Sequence, residues 1–544
     1  MAVVVKKVRR FGAGGGSGGR ESSSLRPQFA PQTPPCARAC PNHQDVRGIL
    51  TTIGQAESRG LPQEVAFARA FSLLAERNPL PASCARVCPH QCEARCHREA
   101  LDGPLAINAL ERFLGDFALE RRLPLPPASQ ERHAERVAVV GSGPGGLSCA
   151  YQLARRGYPV TLFEAAPGLG GMLRYGTPAF RLPREVLEAE VERLLRLGIQ
   201  VRCGAPVPPV EELRRDHAAV FVGIPAGRKA RLGCPGEDAP NVLSAIDFFH
   251  RLNAGERPEL GQPLVVLGGG DTAIDAARTA VRLGARTTIL ASRAPADLPA
   301  DPEQVQQAAE EGVRIEGPAK LLGLVLSDGR VTAVRGARVA ADAQGEPAPE
   351  FVLEAGGVIA TSKPERDTAG LGALCGPDGA LKLDEHGEAA LANTFAAADD
   401  LELGIVSTAI FRGRRAAEII EARLRGTAPP AEETGPAIPA ERIRLGHYPK
   451  RPRTAMTRRP AAERLQAPWA EAAAGLTAAE AAGEAARCLS CGLCFACDNC
   501  WKYCQEQAIV RPPEKGQAYR IKLEFCTGCQ KCAEECPCGY IEMR

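Results

Sequence analysis

Two kinds of residue in this 544-residue chain are spaced for chemistry: cysteines towards both ends and glycine-rich turns between them. Cys36, Cys40, Cys84, Cys88, Cys92 and Cys96 lie near the start, and eleven cysteines from Cys488 to Cys538 crowd the last stretch. Within that stretch Cys494, Cys497, Cys500 and Cys504 follow an x2, x2, x3 spacing, repeated by Cys526, Cys529, Cys532 and Cys536 ahead of Pro537. Short regular spacings of this kind hold metal: iron–sulfur clusters, or zinc at paired CxxC motifs. Disulfide scaffolds are usually short secreted chains, and this pattern beside nucleotide motifs is not one.

The glycine turns are nucleotide fingerprints. Val137 to Val140 reads as a buried strand, followed by Gly141-x-Gly143-x-x-Gly146 opening a helix. Gly141 makes the turn, Gly143 admits a pyrophosphate, Gly146 packs helix on strand, and the helix N-terminus offers its N–H groups to phosphate. Glu164 ends the next strand, where an acid binds the ribose hydroxyls. A second unit runs through Pro263 to Leu267 into Gly268, Gly270, Asp271, Thr272 and Ala273. Its second strand ends in Arg293 and no acid. Arg293 either accommodates a 2′-phosphate or is a solvated loop residue, so NADH and NADPH both stay open.

These residues need a scaffold of several domains, as the length predicts. Residues 36–122 read as helical, with apolar residues at three- and four-residue spacing over 65–76 and 106–121. Leu123-Pro124-Leu125-Pro126-Pro127 breaks that pattern. Strand–helix alternation then implies parallel sheets with nucleotides at their carboxyl edges. The expected domains are a basic Gly/Ser-rich tail at 1–33 and a helical iron–sulfur domain at 34–130. A nucleotide-binding domain at 131–255 and 376–430 encloses a second one at 256–375. A linker at 431–487 leads to a cysteine-dense domain at 488–544. The fold class is therefore multidomain: α-helical, two Rossmann-like α/β units with one inserted in the other, and a small α+β unit. Net charge of +3 gives no support for nucleic-acid binding, and no apolar run is long enough to span a membrane. Arg9-Arg10 is followed by Phe11-Gly12-Ala13-Gly14 and not by an apolar stretch, so a cytoplasmic protein is expected.

Gly170-Gly171-Met172-Leu173-Arg174-Tyr175-Gly176-Thr177-Pro178 with Arg181-Leu182-Pro183 resembles the flavin-side loop of the glutamate synthase small-subunit family. So do Phe395-Ala396-Ala397-Ala398-Asp399 and Ser407-Thr408-Ala409-Ile410. Asn78-Pro79-Leu80-Pro81 through Cys96, with Ala106-Ile107-Asn108, resembles that family's N-terminal iron–sulfur domain. The resemblance implies FAD in the first fold, contacted by Gly171, Met172 and Arg181. It implies that Asp399 holds the ribitol and that Thr408 and Ala409 face the flavin ring. The second fold should take NAD(P)H. One departure is Arg293-Ala294, where NADPH-binding members carry two adjacent arginines.

The last stretch resembles a two-cluster bacterial ferredoxin, in which the fourth cysteine of each run ligates the other cluster. That implies one 4Fe–4S cluster on Cys494, Cys497, Cys500 and Cys536, and another on Cys526, Cys529, Cys532 and Cys504. The family's CxxC pair before Cys36 is missing, and Cys488-Leu489-Ser490-Cys491 resembles it. The expectation is that the tail folds back: one cluster on Cys36, Cys96, Cys488 and Cys491, another on Cys40, Cys88, Cys92 and Glu111. Glu111 lies near the position where the related dihydropyrimidine dehydrogenase uses glutamine. Cys84 as the ligand, a plain helix-surface Glu111, or only three clusters are the alternatives. Four clusters, FAD and NAD(P)H imply an oxidoreductase in which flavin joins two-electron to one-electron chemistry. Hydride transfer needs no acid–base side chain, so no catalytic residue is expected. The ferredoxin-tailed arrangement most resembles the branch serving dissimilatory sulfite reductase; a ferredoxin-type partner, glutamate synthase-like electron input and a non-enzymatic carrier scaffold are the rivals.

Overall fold

The structure is a computed structural model describing residues 23–223, 232–339, 349–361, 371, 374–376, 382–397, 405–431, 435–514 and 516–544. The helical periodicity gives helices Gln63–Ala75 and Ile107–Glu120, within two residues of the expected spans. With helix Val46–Gly54 they enclose Ile49, Leu50, Phe67, Leu74, Leu110 and Leu114. The short helix Pro81–Val87 crosses Ile107–Glu120 at Gly115, where a Cβ would lie 2.4 Å from the Ala82 nitrogen. This core is closed from far along the chain: Leu476, Ala481 and Ala485 pack into it. They come from helix Ala478–Ala485 and its lead-in, started by a reciprocal Thr477–Glu480 capping box.

Two five-stranded parallel sheets follow. The first runs Thr394–Ala397, Ala219–Gly223, Val137–Val140, Val160–Glu164, Gln200–Cys203. The second runs Val242–Ser244, Gly357–Ala360, Leu264–Leu267, Thr287–Leu290, Arg314–Glu316. The chain leaves the first sheet after Gly223, builds the second, and returns at Thr394, so one unit is inserted in the other. Its start is earlier than expected at 256. Val242–Ser244 pairs with Gly357–Ala360, and helix Ala245–Asn253 buries Phe248 and Phe249 beneath that second sheet. The three-residue strand carried no pattern long enough to read. An antiparallel sheet of Ala319–Ser327, Arg330–Arg338 and Glu350–Glu354 adds to the inserted unit.

Two further boundaries move. The expected tail at 1–33 is ordered from residue 23, while residues 1–22 lie outside the described residues. Pro27–Phe29 pairs antiparallel with Ile541–Met543, Arg26 and Arg544 exchange both backbone hydrogen bonds, and Phe29 stacks on Tyr540 at 5.4 Å. A terminal strand exposes unpaired N–H and C=O groups, and the N-terminal segment covers them. The expected linker at 431–487 is a strap with its own ion pairs. Arg458 pairs with Glu303, Arg464 with Glu310 and Glu311, and Glu471 with Arg86 (2.7 Å) and Arg112 (3.0 Å). It ties the inserted unit to the helical domain. No helix among the described residues is long and apolar enough to cross a membrane.

Candidate functional site

The first fingerprint turn is closed at Gly141 and Gly146 and open at Gly143. Gly141 has φ +89°, and a Cβ there would sit 2.2 Å from the Gly223 oxygen. A Cβ on Gly146 would sit 1.8 Å from the Gly141 oxygen, whereas one on Gly143 meets nothing within 4 Å. Gly143 begins helix Pro144–Ala154 with no side-chain cap, so no side-chain oxygen at the cap position satisfies the leading N–H groups. This is a cradle that fits a pyrophosphate. Glu164 is tied to the turn: Oε2 accepts from Ser142 N (2.8 Å) and Oγ (2.5 Å), and Oε1 from Ala166 N (2.9 Å). Gly171, at φ +51°, packs on Gly143, where its Cβ would come within 2.7 Å of Cα, and Met172 starts the next helical turn. Thr408 and Ala409 lie in the first turn of helix Val406–Arg425, with the Ala409 carbonyl beside Gly145. Asp399 lies outside the described residues.

Arg181, expected at the flavin, also reaches a neighbouring unit. Its Nη1 donates to Asp275 Oδ2 at 2.9 Å and its Nη2 to the Arg86 carbonyl at 3.4 Å. Asp275 sits on helix Asp271–Arg282 of the inserted unit, so Arg181 is an interdomain tie. Neighbouring Phe180 reinforces it, with the Arg282 guanidinium 3.9 Å and Arg278 4.9 Å from the ring centroid. Burial of the counter-charge on another segment left no local sequence signal.

The second fingerprint has the same build. A Cβ on Gly268 would strike Thr361 Oγ1, while one on Gly270 meets nothing within 4 Å. Helix Asp271–Arg282 also starts without a side-chain cap at Gly270. Asp271 accepts from Asp301 N (3.0 Å), Thr272 is exposed beside it, and Arg293 is exposed beyond strand Thr287–Leu290.

All 21 cysteines are free, and the sixteen expected ligands fall in four groups. Cys36 lies with Cys488, Cys96 and Cys491: burial first, then those three thiols, pushes its own thiol well up. Asp102 fixes this group by accepting from Arg98 (2.7 Å), Arg487 (2.9 Å) and Arg451 N (2.7 Å). Burial works to raise Asp102, and these donors outweigh it and hold its pKa at about 2.

The second group lines one cavity: Cys40, Cys84, Cys88, Cys92 and Glu111, with Ile405 and Ser407 from the start of helix Val406–Arg425. Glu111 is no surface residue. Burial, then Cys88, pushes its pKa to about 8, while Asn78 Nδ2 donates to it at 2.7 Å. Sequence reasoning missed Glu190, whose carboxylate caps helix Pro81–Val87; an acid in the apolar Leu187–Val191–Leu194 stripe was the available signal.

The third group is Cys494, Cys497, Cys500 and Cys536. Burial first, then Cys536 and Cys494, raises Cys497 to about 11, and Cys538 Sγ backs Cys536 Sγ at 3.8 Å. In the fourth, burial and then Cys526, Cys504 and Cys529 raise Cys532 to about 12; these four line a second cavity with Ile509, Ile521 and Pro27. Among the described residues no three His, Cys, Asp or Glu side chains close on one point as a single-ion site requires. In the second and fourth groups the donors line a cavity, which fits a cluster with a ligand at each corner. Thiols raised by burial must lose protons on loading, so metal binding releases protons.

Residues 135–413 match the family of pyridine nucleotide-disulphide oxidoreductases, and residues 29–123 match dihydropyrimidine dehydrogenase domain II, 4Fe-4S cluster. The chain is 33% identical over 511 residues to the NADP(+)-dependent formate dehydrogenase subunit beta of Moorella thermoacetica, covering 84% of this chain and 70% of that protein. It is 36% identical over 349 residues to the NADPH-Fe(3+) oxidoreductase subunit beta of Geobacter sulfurreducens, covering 60% of this chain and 50% of that one. It is 32% identical over 340 residues to the glutamate synthase (NADPH) small chain of Escherichia coli, covering 59% and 70%. The chain thus spans only half of the Geobacter relative's length.

Proposed function

The chain belongs to the pyridine nucleotide-disulphide oxidoreductase family, and from that membership we propose an enzyme that exchanges electrons between NAD(P)H and a protein partner. It is an FAD-dependent NAD(P)H oxidoreductase that carries iron–sulfur clusters. Bound FAD supplies the conversion between the two-electron chemistry of nicotinamide and the one-electron chemistry of 4Fe–4S clusters. The protein's part is to bind, orient and exclude water. Gly143 and the uncapped helix Pro144–Ala154 hold the FAD pyrophosphate; Gly270 and helix Asp271–Arg282 hold that of NAD(P)H.

Four clusters complete the reading. Their ligands are Cys36, Cys96, Cys488 and Cys491; Cys40, Cys88, Cys92 and Glu111; Cys494, Cys497, Cys500 and Cys536; and Cys526, Cys529, Cys532 and Cys504. The last two form a ferredoxin-type unit that is the outlet. The observation carrying the proposal is that Ile405 and Ser407, opening the flavin-side helix, line the same cavity as Cys40, Cys88, Cys92 and Glu111.

The partner is a redox protein, and the ferredoxin-tailed arrangement most resembles the branch serving dissimilatory sulfite reductase, which makes that reductase the proposed partner. Two relatives are named as beta subunits, which supports work within a complex. Delivery to a free ferredoxin, or glutamate synthase-like input, is the second reading, favoured by the glutamate synthase small chain among the relatives. Flavin bleaching by NADH or NADPH tests the enzyme; failure with both nucleotides supports a carrier scaffold. Co-purification from the native cell tests the partner. Sulfite reductase subunits are expected, and a different reductase in their place overturns that assignment.

A further inference from the structure

Tyr448 belongs to the strap and is neither part of a nucleotide cradle nor one of the proposed ligands. It packs in a small apolar cluster with Ile438, Ile443, Leu489 and Cys491. Its hydroxyl donates to the Leu489 carbonyl at 2.7 Å, and its ring meets that of Phe495 with centroids 5.8 Å apart. Leu489 lies inside the loop Cys488–Cys491, and Phe495 lies inside the loop Cys494–Cys497. One side chain therefore touches the middle of both loops. Burial, then Cys538, Cys491, Cys488 and Cys497 around it, raises its hydroxyl far above the usual range, in keeping with that position.

The joint between the loops is tight on its other side as well. Only Gly492 and Leu493 separate Cys491 from Cys494. Gly492 N donates to the Cys538 carbonyl at 2.6 Å, and Gly492 stands at φ +71° with room for a Cβ denied by the Gln32 oxygen at 2.8 Å. Arg47 Nη1 donates to the carbonyls of Gln32 and Cys491, both at 2.6 Å. Gly492 and Arg47 hold the backbone of the joint, but neither side chain reaches both loops. Tyrosine suits the remaining place because its ring is apolar and its end is polar.

We infer that Tyr448 is a positioning residue that sets the separation and orientation of loop Cys488–Cys491 against loop Cys494–Cys497, and hence of the head and tail thiol groups. The inference rests on the ligand sets proposed above. It makes the strap a structural part of the electron route.

The test uses the full holoprotein with Tyr448→Phe and Tyr448→Leu. Both are expected to keep the parental iron content and flavin bleaching by NAD(P)H. In the electron paramagnetic resonance spectrum of the reduced protein, neighbouring clusters split and broaden each other's signals. Tyr448→Leu is expected to alter that splitting and to slow reduction of an external one-electron acceptor several-fold, with Tyr448→Phe in between. An unchanged spectrum and rate in iron-replete Tyr448→Leu overturn the inference. Loss of iron in Tyr448→Leu passes the decision to Tyr448→Phe, which removes a single oxygen; an unaltered spectrum there overturns it too. Unchanged iron in Cys488→Ala/Cys491→Ala instead refutes the ligand sets themselves.

Discussion

Glu190 accepts the backbone N–H of Ser83 at 2.8 Å, joining the first nucleotide domain to the helix that carries Cys84 and leads to Cys88. Its other oxygen accepts Ala82 N, also at 2.8 Å. The donors of a helix N-terminus are thus satisfied by another domain and not by a local cap.

Replacing Glu190 therefore reaches the cysteines indirectly. Glu190→Ala leaves two buried N–H groups unpaired and is expected to cost about 3 kcal/mol, with Glu190→Gln milder. Urea unfolding and iron per chain measure both effects. An unshifted urea midpoint in Glu190→Ala removes the capping role.

Gly143 and Gly146 separate binding from folding. Gly143→Ala puts its methyl into the open phosphate space, so FAD content should fall while the FAD-free chain keeps its stability within about 0.5 kcal/mol. Gly146→Ala drives a methyl into the Gly141 carbonyl and should destabilise the FAD-free chain as well. Flavin absorbance and thermal unfolding of both variants read the difference. Full flavin occupancy in Gly143→Ala disproves the cradle.

Arg464 is fully buried against Glu310 and Glu311, and Glu311 also takes Arg278 and Arg282. Arg464→Met removes the strap's share of that network while Glu311 keeps Arg278 and Arg282, so the expected loss is about 1.5 kcal/mol, the worth of a hydrogen bond to a charged group. Limited proteolysis should then cut the strap sooner. Parental cleavage rates indicate that the strap does not hold the inserted unit.

Acid should release the joint around Asp102. Its folded pKa of about 2 lies below the unfolded value of about 3.9. Its stabilising contribution is therefore whole above pH 4 and disappears as pH falls through about 2. The gap in urea midpoint between the parent and Asp102→Asn should be constant above pH 4 and shrink below it. A gap that persists to pH 2 contradicts the assignment.

Periodic and short-range features were legible in the sequence. Val137–Val140 into Gly141 to Gly146 fixed a strand, turn and helix, because glycine spacing and β-branched runs act within a few residues. The meeting of Cys36 with Cys488 was also legible, but through ligand counting and family resemblance. The tie from Arg181 to Asp275 was not legible, because the partner lies on another domain. Pro27–Phe29 was hidden because three residues beside a glycine-rich tail show no alternation, and their partner strand lies at the other end. Tyr448 acts by touching distant backbone, which no local pattern records, and Glu190 left only an acid in an apolar stripe as its trace.

The pairing of Pro27–Phe29 with Ile541–Met543 also sets an order of events during synthesis. As the chain emerges from the ribosome, the head has neither Leu476, Ala481 and Ala485 for its core nor Cys488 and Cys491 for its first thiol group. The strands of both nucleotide sheets are all made by residue 397, whereas the head core is completed only by residues 476–485. The first thiol group is therefore assembled late, and a chain cut short within the strap lacks two of its four members, Cys488 and Cys491.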